Sequence, residues 1–326
     1  MLNTEMNNFK LNKRLSKADL FFIGICFLAS CKTHPNSDRN YAGDGKVYKL
    51  RLNPAPGSKY QYQMSNESTL NMEVDSKPVE NIKKADVTIN YGIDKDSLGD
   101  FVLNITYDKI HVYTKSNDQV TDINAENANS VDPMERLLAA VKAGEIIATV
   151  NKIGEVKTMN GFTEIASKIL SEASTISLPD KQQVQQQWKS VVEQGMVKKN
   201  IDQLFKMFPD SAIHIGDRWR MTSEDEAGIS FAIKNVYTLR SIKDGIADIE
   251  SQGEITSDKT STLLMGVDVV AELTGQQQGS YSMDVRTGML VDCKMSADIE
   301  GKIQMMGRDI PVKISTSVKM NGRKIK

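Results

Sequence analysis

The segment Phe101-Val102-Leu103-Asn104-Ile105-Thr106-Tyr107 places a large apolar residue at every second position. Residues 85–93 show the same odd-numbered pattern, and a charged turn at residues 95–100 separates the two stretches. Apolar residues that recur with a period of two indicate a β-strand with one buried face. The two stretches therefore predict a pair of antiparallel strands, and they decide the assignment to a β-rich fold.

The same alternation extends outward to both ends of the chain. Residues 60–74 carry apolar side chains at even positions, which predicts one long strand or two strands that meet at Asn66. Strand patterns resume after residue 211 and continue to the C-terminus. There, Gly288 and Gly307 supply the positive φ that tight turns require, so the last four strands are predicted to form two hairpins.

The middle of the chain has a helical pattern. A helix is predicted from Pro133 to Gly144, followed by a hairpin about Ile153-Gly154 and a second helix that begins near Phe162. A longer amphipathic helix begins at Pro179 and carries Trp188 at the centre of its apolar stripe. We therefore expect a helical segment over residues 132–208 that packs against the sheet.

The regions before and after this segment begin with similar strand openings, Gly57-Ser58-Lys59-Tyr60 and Gly216-Asp217-Arg218-Trp219. They suggest two related β-meanders, although chance similarity between meanders accounts for the same spacing. The predicted fold class is α+β: a large curved antiparallel β-sheet, a half-barrel of two meanders, with the helical middle segment packed on it.

The N-terminal region has the features of a lipoprotein signal. Lys10, Lys13, Arg14 and Lys17 precede a short apolar run that ends in Leu28-Ala29-Ser30-Cys31. The run of about nine residues is far shorter than the roughly 20 needed to cross a bilayer as a helix. We predict a signal peptide over residues 1–30, lipidation with acyl chains such as palmitate at Cys31, a flexible tether over 31–46, and a single β-rich body over 47–326.

Composition excludes several functional classes. The chain carries 41 Lys and Arg residues against 42 Asp and Glu residues, and it has no basic stripe with interleaved aromatics. Nucleic acid is therefore not expected as a partner. After removal of Cys26 and lipidation of Cys31, Cys293 alone is left of three cysteines, and its alternating apolar surroundings predict a buried core residue.

Few residues suggest catalysis. Only His111 and His214 of the three histidines lie in the predicted body, and no Gly-x-Ser-x-Gly motif is present. His111 shares its odd-numbered position with Leu103 and Tyr107, which is compatible with an inward side chain. A satisfied or half-buried histidine is expected here rather than a catalytic base. We predict no metal site, no cofactor and no enzymatic activity, while acid pairs leave a two-carboxylate hydrolase open.

Methionine stands out on the predicted apolar strand faces, where β-branched residues are the usual choice. Because methionine adapts to varied apolar partners, this pattern suggests a deformable apolar cavity. A core that happens to be rich in methionine accounts for the same pattern. The predicted lining residues are Met64, Met72, Met283, Met295 and Trp188.

Four places resemble a family of uncharacterised lipoproteins of Gram-negative bacteria, whose function is unknown. They are the segment through Cys31, Pro56-Gly57-Ser58-Lys59-Tyr60, residues 144–162 with Ile153-Gly154-Glu155-Val156, and residues 279–290 with Thr287-Gly288. The architecture also resembles the half-barrel carriers of outer-membrane lipoproteins, in which a curved sheet wraps helices and shelters acyl chains. That second resemblance is one of fold, which does not fix function.

These observations predict an envelope lipoprotein that is held at a membrane by its lipid anchor and binds lipid or another apolar ligand. An alternative is a scaffold, or a partner-binding subunit, of an outer-membrane complex. Lys32 occupies the position after the lipidated cysteine, where an Asp retains many lipoproteins at the inner membrane. The predicted location is therefore the outer membrane, facing the periplasm.

Overall fold

The computed structural model describes residues 30–33, 45–74, 77–117, 119–128, 130, 133–162, 164–165, 197–225, 229–259, 261–264, 267–305 and 307–326. Within these residues the chain forms one sheet of 14 strands and two short helices. The strands are β1 (Ser30–Thr33), β2 (Lys59–Val74), β3 (Lys77–Lys95), β4 (Phe101–Ser116), β5 (Gln119–Asn124), β6 (Ile146–Val150), β7 (Val156–Asn160), β8 (Arg218–Asp225), β9 (Phe231–Lys243), β10 (Ile246–Ser257), β11 (Ser261–Leu264), β12 (Val267–Asp284), β13 (Leu290–Met305) and β14 (Arg308–Lys324).

The sheet is open and its strand pairs are antiparallel. Its order is β1-β8-β9-β10-β12-β13-β14-β2-β3-β4-β6-β7, with β11 paired to β12 and β5 paired to β4. Most neighbours in the sheet are also neighbours along the chain, as expected for hairpin-connected strands. The predicted large antiparallel sheet is confirmed, and residues 60–74 form part of a single continuous strand.

Two meanders form most of this sheet. Strands β2, β3 and β4 form one, and strands β8 to β14 form the other. The pairing of β14 with β2 joins them, and it places Ile314 opposite Leu70 and Met320 opposite Met64. The C-terminal strand therefore lies at the centre of the sheet.

The described part of the middle segment contains two short helices and a hairpin. The described helices are α1 (Pro133–Ala143) and α2 (Lys199–Phe205). The hairpin predicted about Ile153-Gly154 is confirmed, and its strands β6 and β7 extend the main sheet beside β4. Trp188 and most of the predicted long helix lie outside the described residues.

The larger apolar cluster, here cluster 1, lies where irregular segments cover the sheet. Strand residues in it include Tyr62, Tyr91, Ile105, Tyr237, Tyr281 and Met320. Leu50 and Leu52 from the segment before β2, Val141 from α1, and Phe205 from α2 pack against them. Phe205 meets Tyr91 edge to face at 6.2 Å between ring centroids, a favourable aromatic geometry.

A second apolar cluster, here cluster 2, is separate from cluster 1. Its buried members all lie on strands of the sheet, and most are aliphatic. They are Leu70, Phe231, Ile233, Ile255, Val269, Ala271, Leu273, Ala297, Ile299, Ile303, Ile310, Val312 and Ile314. We refer to the face of the sheet that carries both clusters as the inner face.

The described part of the N-terminal region is an edge strand. The backbone of β1, which spans the predicted cleavage point before Cys31, pairs with β8 and sets Cys31 opposite Ser223. Three residues of the predicted tether therefore pair with the sheet in the full-length chain. Among the residues given above, no helix combines the length and the apolar character needed to cross a membrane.

Candidate functional site

A row of small and polar residues crosses the inner face between the two clusters. Strand register fixes this row, because each member is paired directly with the next on five successive strand pairs. We name it the polar belt, and it consists of Asn235, Gly253, Gln277, Ala297, Thr316 and Ser68. The neighbouring row on one side, two positions along each strand, consists of cluster 2 residues except for Gly275. Ala297 belongs both to the belt and to cluster 2.

Asn235 and Gln277 form an amide pair at one end of the belt. The Nε2 group of Gln277 donates a hydrogen bond to Oδ1 of Asn235 at 3.4 Å, and both side chains are buried. The two residues lie on β9 and β12, with Gly253 of β10 between them. A Cβ atom at Gly253 would clash with Oδ1 of Asn235. The amide pair therefore requires glycine at this position, since any side chain would occupy the space of the amide.

Further buried polar groups lie beside the amide pair, toward cluster 1. Ser251 of β10 is buried, and its Oγ lies 3.4 Å from the hydroxyl of Tyr281. That hydroxyl in turn lies 2.8 Å from the sulfur of Met295, which it contacts as a donor. The Tyr281 hydroxyl therefore contacts a serine oxygen and a methionine sulfur. A buried tyrosine hydroxyl usually has such a hydrogen-bond partner.

Three oxygen atoms at or beside the belt have no hydrogen-bond partner in the described chain: Oε1 of Gln277, Oγ of Ser68 and Oδ1 of Asn81. Asn81 lies on β3, one row from Ser68 toward cluster 2. The three residues are only 4 %, 3 % and 5 % exposed. A buried polar atom without a partner costs about 1–3 kcal/mol, so native proteins usually supply water or a ligand at such places.

Charge on the inner face near the belt comes from Lys83. It pairs with Ser68 across β2 and β3 and is half-buried. Lys83 already has an interaction partner within the chain. The three oxygens without partners belong to neutral side chains, those of Gln277, Ser68 and Asn81. Each of these oxygens can accept a hydrogen bond.

The predicted lining residues do not lie together. Met283 and Met295 are buried in cluster 1, and Met64 packs against that cluster, whereas Met72 packs against cluster 2. Trp188 is outside the described residues, and at Cys31 only the backbone is described. The lining role of these residues stays a prediction.

Cys293 is a core residue, as its sequence pattern predicted. It is completely buried in cluster 1, between strands β12 and β14. Burial raises the pKa of its thiol to about 12, and the nearby charge of Asp292 adds to this effect. Because the thiolate is the reactive form, the Cys293 side chain is inert at neutral pH.

His111 does not point inward, although the alternation is compatible with that orientation. A β-bulge changes the register of β4: Ile89 pairs with Tyr107 and Thr88 with Lys109, so Asp108 has no partner in the β3–β4 pairing. One extra residue moves all later side chains to the opposite face. His111 therefore points outward, where Nε2 lies 2.6 Å from Asp122 and Nδ1 lies 3.6 Å from Asp86.

The outer face carries a shallow groove over strands β8 to β10. It encloses about 360 Å³ and is lined by Gly216, Arg218, Val236, Thr238, Arg240, Glu250 and Gln252. An ion pair between Arg240 and Glu250, 2.7 Å apart, crosses it. Within the described ranges no group of three or more His, Cys, Asp or Glu side chains is placed to hold a metal ion.

The polar belt was not predicted, although the sequence contains a signal for it. Asn235 interrupts the inward series between Ile233 and Tyr237, and Ser68 precedes the inward residue Leu70 in the same way. Each interruption alone resembles an ordinary polar residue in a strand. Only the register across six strands shows that they form one row.

Comparison with solved structures gives weak likenesses. The chain is similar to lipovitellin, from a structure describing lipid–protein interactions, with a TM-score of 0.45, 9 % identity and 82 % of this chain covered. It spans a quarter (25 %) of the lipovitellin chain. It is also similar to an outer membrane channel from Pseudomonas putida F1, with a TM-score of 0.24, 5 % identity, and 87 % of this chain and 100 % of the channel covered. These scores are too low to assign a fold or a function.

Sequence comparison gives a family. No curated protein matches the chain. The profile of DUF6263, a family of unknown function, matches residues 98–290, which include α1 and strands β4 to β12. The match covers more than half of the 326 residues. The chain therefore belongs to the DUF6263 family.

Proposed function

We propose that this protein binds an amphipathic ligand on the inner face of its sheet. The observation that carries the proposal is the polar belt, in which buried oxygens without partners lie beside a large aliphatic surface. An amphiphile combines both kinds of partner, because its polar part offers a hydrogen-bond donor to one of these oxygens and its apolar part contacts the aliphatic side chains. Burial of each CH₂ group contributes about 0.8 kcal/mol, so a single acyl chain supplies most of the affinity.

Cluster 2 is the better surface for the apolar part. Its buried members form a regular strand surface. Cluster 1, in contrast, is filled by side chains from α1, α2 and the segment before β2. Met72 and Met305 pack at the margin of cluster 2 and are only partly buried, so they are the flexible side chains that we place next to the ligand.

We also propose that the protein works in the cell envelope, held by lipidation at Cys31. The proposal rests on the sequence around Leu28-Ala29-Ser30-Cys31 and on Lys32 after it, which favour the outer membrane. Two or more acyl chains anchor a protein stably, whereas one chain gives only marginal binding. Replacing Cys31 by Ser should release the protein from the membrane fraction of the producing cells. Recovery of Cys31→Ser in the membrane pellet would show that another segment is the anchor.

Ligand binding is tested with the full-length protein and a pair of substitutions. Organic extraction of the purified protein, followed by mass spectrometry, should recover amphiphiles in stoichiometric amounts. Met72→Phe adds bulk beside cluster 2 and should reduce the recovered amount several-fold. Met295→Phe adds the same bulk in cluster 1 and should leave it largely unchanged. Extracts without amphiphiles, from protein shown to be folded by circular dichroism, would refute the proposed function.

A scaffold role is the second candidate, and the open sheet favours it. Strand β7 (Val156–Asn160) ends the sheet order and pairs with β6. An edge strand is a template for a strand from another protein. A stable complex with a second envelope protein that is lost on Thr158→Pro, in protein whose extracts contain no amphiphile, would support this candidate over ligand binding.

A further inference from the structure

The groove on the outer face brings charged and polar side chains from three adjacent strands together. It is independent of the proposed function, because the polar belt and both clusters lie on the inner face. Strand pairing sets Arg218 of β8 opposite Thr238 of β9, and Thr238 opposite Glu250 of β10. These side chains line one cavity of about 360 Å³. Its volume lies within the range of about 300–1,000 Å³ that is typical of small-molecule sites.

A β-bulge brings Arg240 into this groove. The register between β9 and β10 shifts beside Ile249, so Arg240 has no partner in their pairing. An extra residue of this kind changes the direction of its side chain. Arg240 binds Glu250 through its Nε atom at 2.7 Å. Within the described ranges its two Nη groups have no partner, so Arg240 keeps donors available beside the ion pair.

Arg218 supplies a second guanidinium group. It is exposed, and its side chain makes no ion pair or hydrogen bond with any other residue that the structure describes. Two arginines and one glutamate line the groove, which leaves a net charge of +1. The nearest other acid on this face of β10, Asp248, accepts hydrogen bonds from Ser241 and Ser282. The groove therefore attracts an anion.

The two guanidinium groups favour a phosphate over a carboxylate. One arginine fork already satisfies both oxygens of a carboxylate, whereas a phosphate ester has further oxygens for a group that approaches from a neighbouring strand. Glu250 and Thr238 also line the groove and accept hydrogen bonds from hydroxyl groups. Val236 is the one apolar side chain among the lining residues. A polar, hydroxyl-bearing ligand fits this lining.

We propose that the groove binds a hydroxylated phosphate ester of the glycerol phosphate type. Its phosphate oxygens accept hydrogen bonds from Arg218 and from the Nη groups of Arg240, while its hydroxyls donate to Glu250 and Thr238. Glycerol phosphate exists as a soluble molecule and as the headgroup of an anionic phospholipid. Both sources present the same chemical group, and the experiment has one arm for each.

The soluble arm measures the affinity of glycerol phosphate by isothermal titration calorimetry. The full-length Cys31→Ser protein is used at low ionic strength, where exposed charges are screened least. Glycerate, which has a carboxylate in place of the phosphate, is the matched probe. Glycerol phosphate should bind about tenfold more tightly, the effect expected of one additional charge-assisted hydrogen bond. Equal or tighter binding of glycerate would overturn the proposal.

Matched variants locate the site. Arg218→Gln should weaken the binding of glycerol phosphate about tenfold. Arg218→Lys keeps the charge but loses the planar fork, so it should weaken binding several-fold. Lys234→Gln removes a positive charge from an exposed residue of β9 outside the groove and should leave the affinity unchanged. Equal losses in Arg218→Gln and Lys234→Gln would overturn the proposal, because general charge attraction would then account for binding.

The membrane arm measures co-sedimentation of the same protein with vesicles. Vesicles of phosphatidylcholine that contain phosphatidylglycerol are compared with vesicles of phosphatidylcholine alone. Binding that requires both phosphatidylglycerol and Arg218 supports the proposal with a lipid headgroup as the source, and binding of the soluble ester alone supports it with a soluble source. Absence of binding in both arms overturns it. Amphiphile recovery from the inner face is unaffected by that result, so failure of this proposal is distinguishable from failure of the proposed function.

Discussion

Clusters 1 and 2 lie on the same face of one sheet but consist of different side chains. Cluster 1 contains tyrosines and six buried methionines, namely Met207, Met221, Met283, Met289, Met295 and Met320. Among the described residues, cluster 2 has no buried methionine and is dominated by isoleucine, valine and leucine. Cluster 1 joins the strands to irregular segments, where flexible methionines fill uneven gaps. Cluster 2 is a regular strand surface, which suits β-branched residues.

This difference changes the meaning of the methionine pattern. The sequence suggested a deformable cavity lined by methionines or a core rich in methionine. Met283 and Met295 lie in the cluster that other segments of the chain fill, which favours the second explanation for these two residues. Met72, at the margin of cluster 2, is the member that our proposal retains as a lining residue.

The largest expected effect comes from comparing one phenylalanine in each cluster. Phe205→Ala removes a fully buried ring that contacts Tyr91 in cluster 1, and it should lower the free energy of unfolding by about 3–5 kcal/mol. Phe231→Ala in cluster 2 should cost about 1.5–3 kcal/mol, the transfer contribution alone, because our proposal makes cluster 2 a ligand surface that adjusts around the gap. Chemical denaturation of both variants without ligand measures the difference. Equal losses would mean that cluster 2 is packed as rigidly as cluster 1.

A pair of turn glycines gives the next largest effect. Gly154 and Gly307 have similar positive φ values, 82° and 74°. A Cβ atom at Gly154 would clash with the backbone of Phe205, whereas at Gly307 it would meet nothing within 4 Å. We expect Gly154→Ala to cost about 2–5 kcal/mol, from the left-handed backbone and the clash together.

Gly307→Ala serves as the control for the backbone contribution. It should cost only the penalty of the left-handed conformation, about 1–2 kcal/mol. Thermal unfolding of the two variants, followed by circular dichroism, gives the comparison. If Gly307→Ala is as destabilising as Gly154→Ala, then the close approach of Gly154 to the backbone of Phe205 adds nothing to the cost.

The smallest effect concerns the boundary between the clusters. Ser68→Ala removes a buried hydroxyl oxygen that has no partner, so the free energy of unfolding without ligand should stay the same or rise by up to about 1 kcal/mol. Ser65→Ala, on the exposed face of the same strand, should have no measurable effect. A loss of stability in Ser68→Ala would show that its hydroxyl is satisfied within the protein, which removes one acceptor from the belt.

Local patterns predicted much of the fold. The alternation in residues 101–107 lies within β4, the hairpin at Ile153-Gly154 is present, and Pro133 begins α1. These features depend on neighbours a few residues apart, so the sequence specifies them directly. His111 shows the limit of this reasoning, because a single bulge at Asp108 reverses the faces of all later residues in β4.

The sequence by itself determined the strand-rich composition, the turn glycines, the burial of Cys293 and the residues available to each face. Tertiary structure decided which strands meet. The pairing of β14 with β2 and the alignment of Asn235, Gln277 and Ser68 in one row involve residues up to 264 positions apart in the chain, as in the pair Lys324 and Tyr60. Register across a sheet is set by the packing of whole strands on a common face. No local pattern contains that information, and the polar belt therefore became visible only in the folded protein.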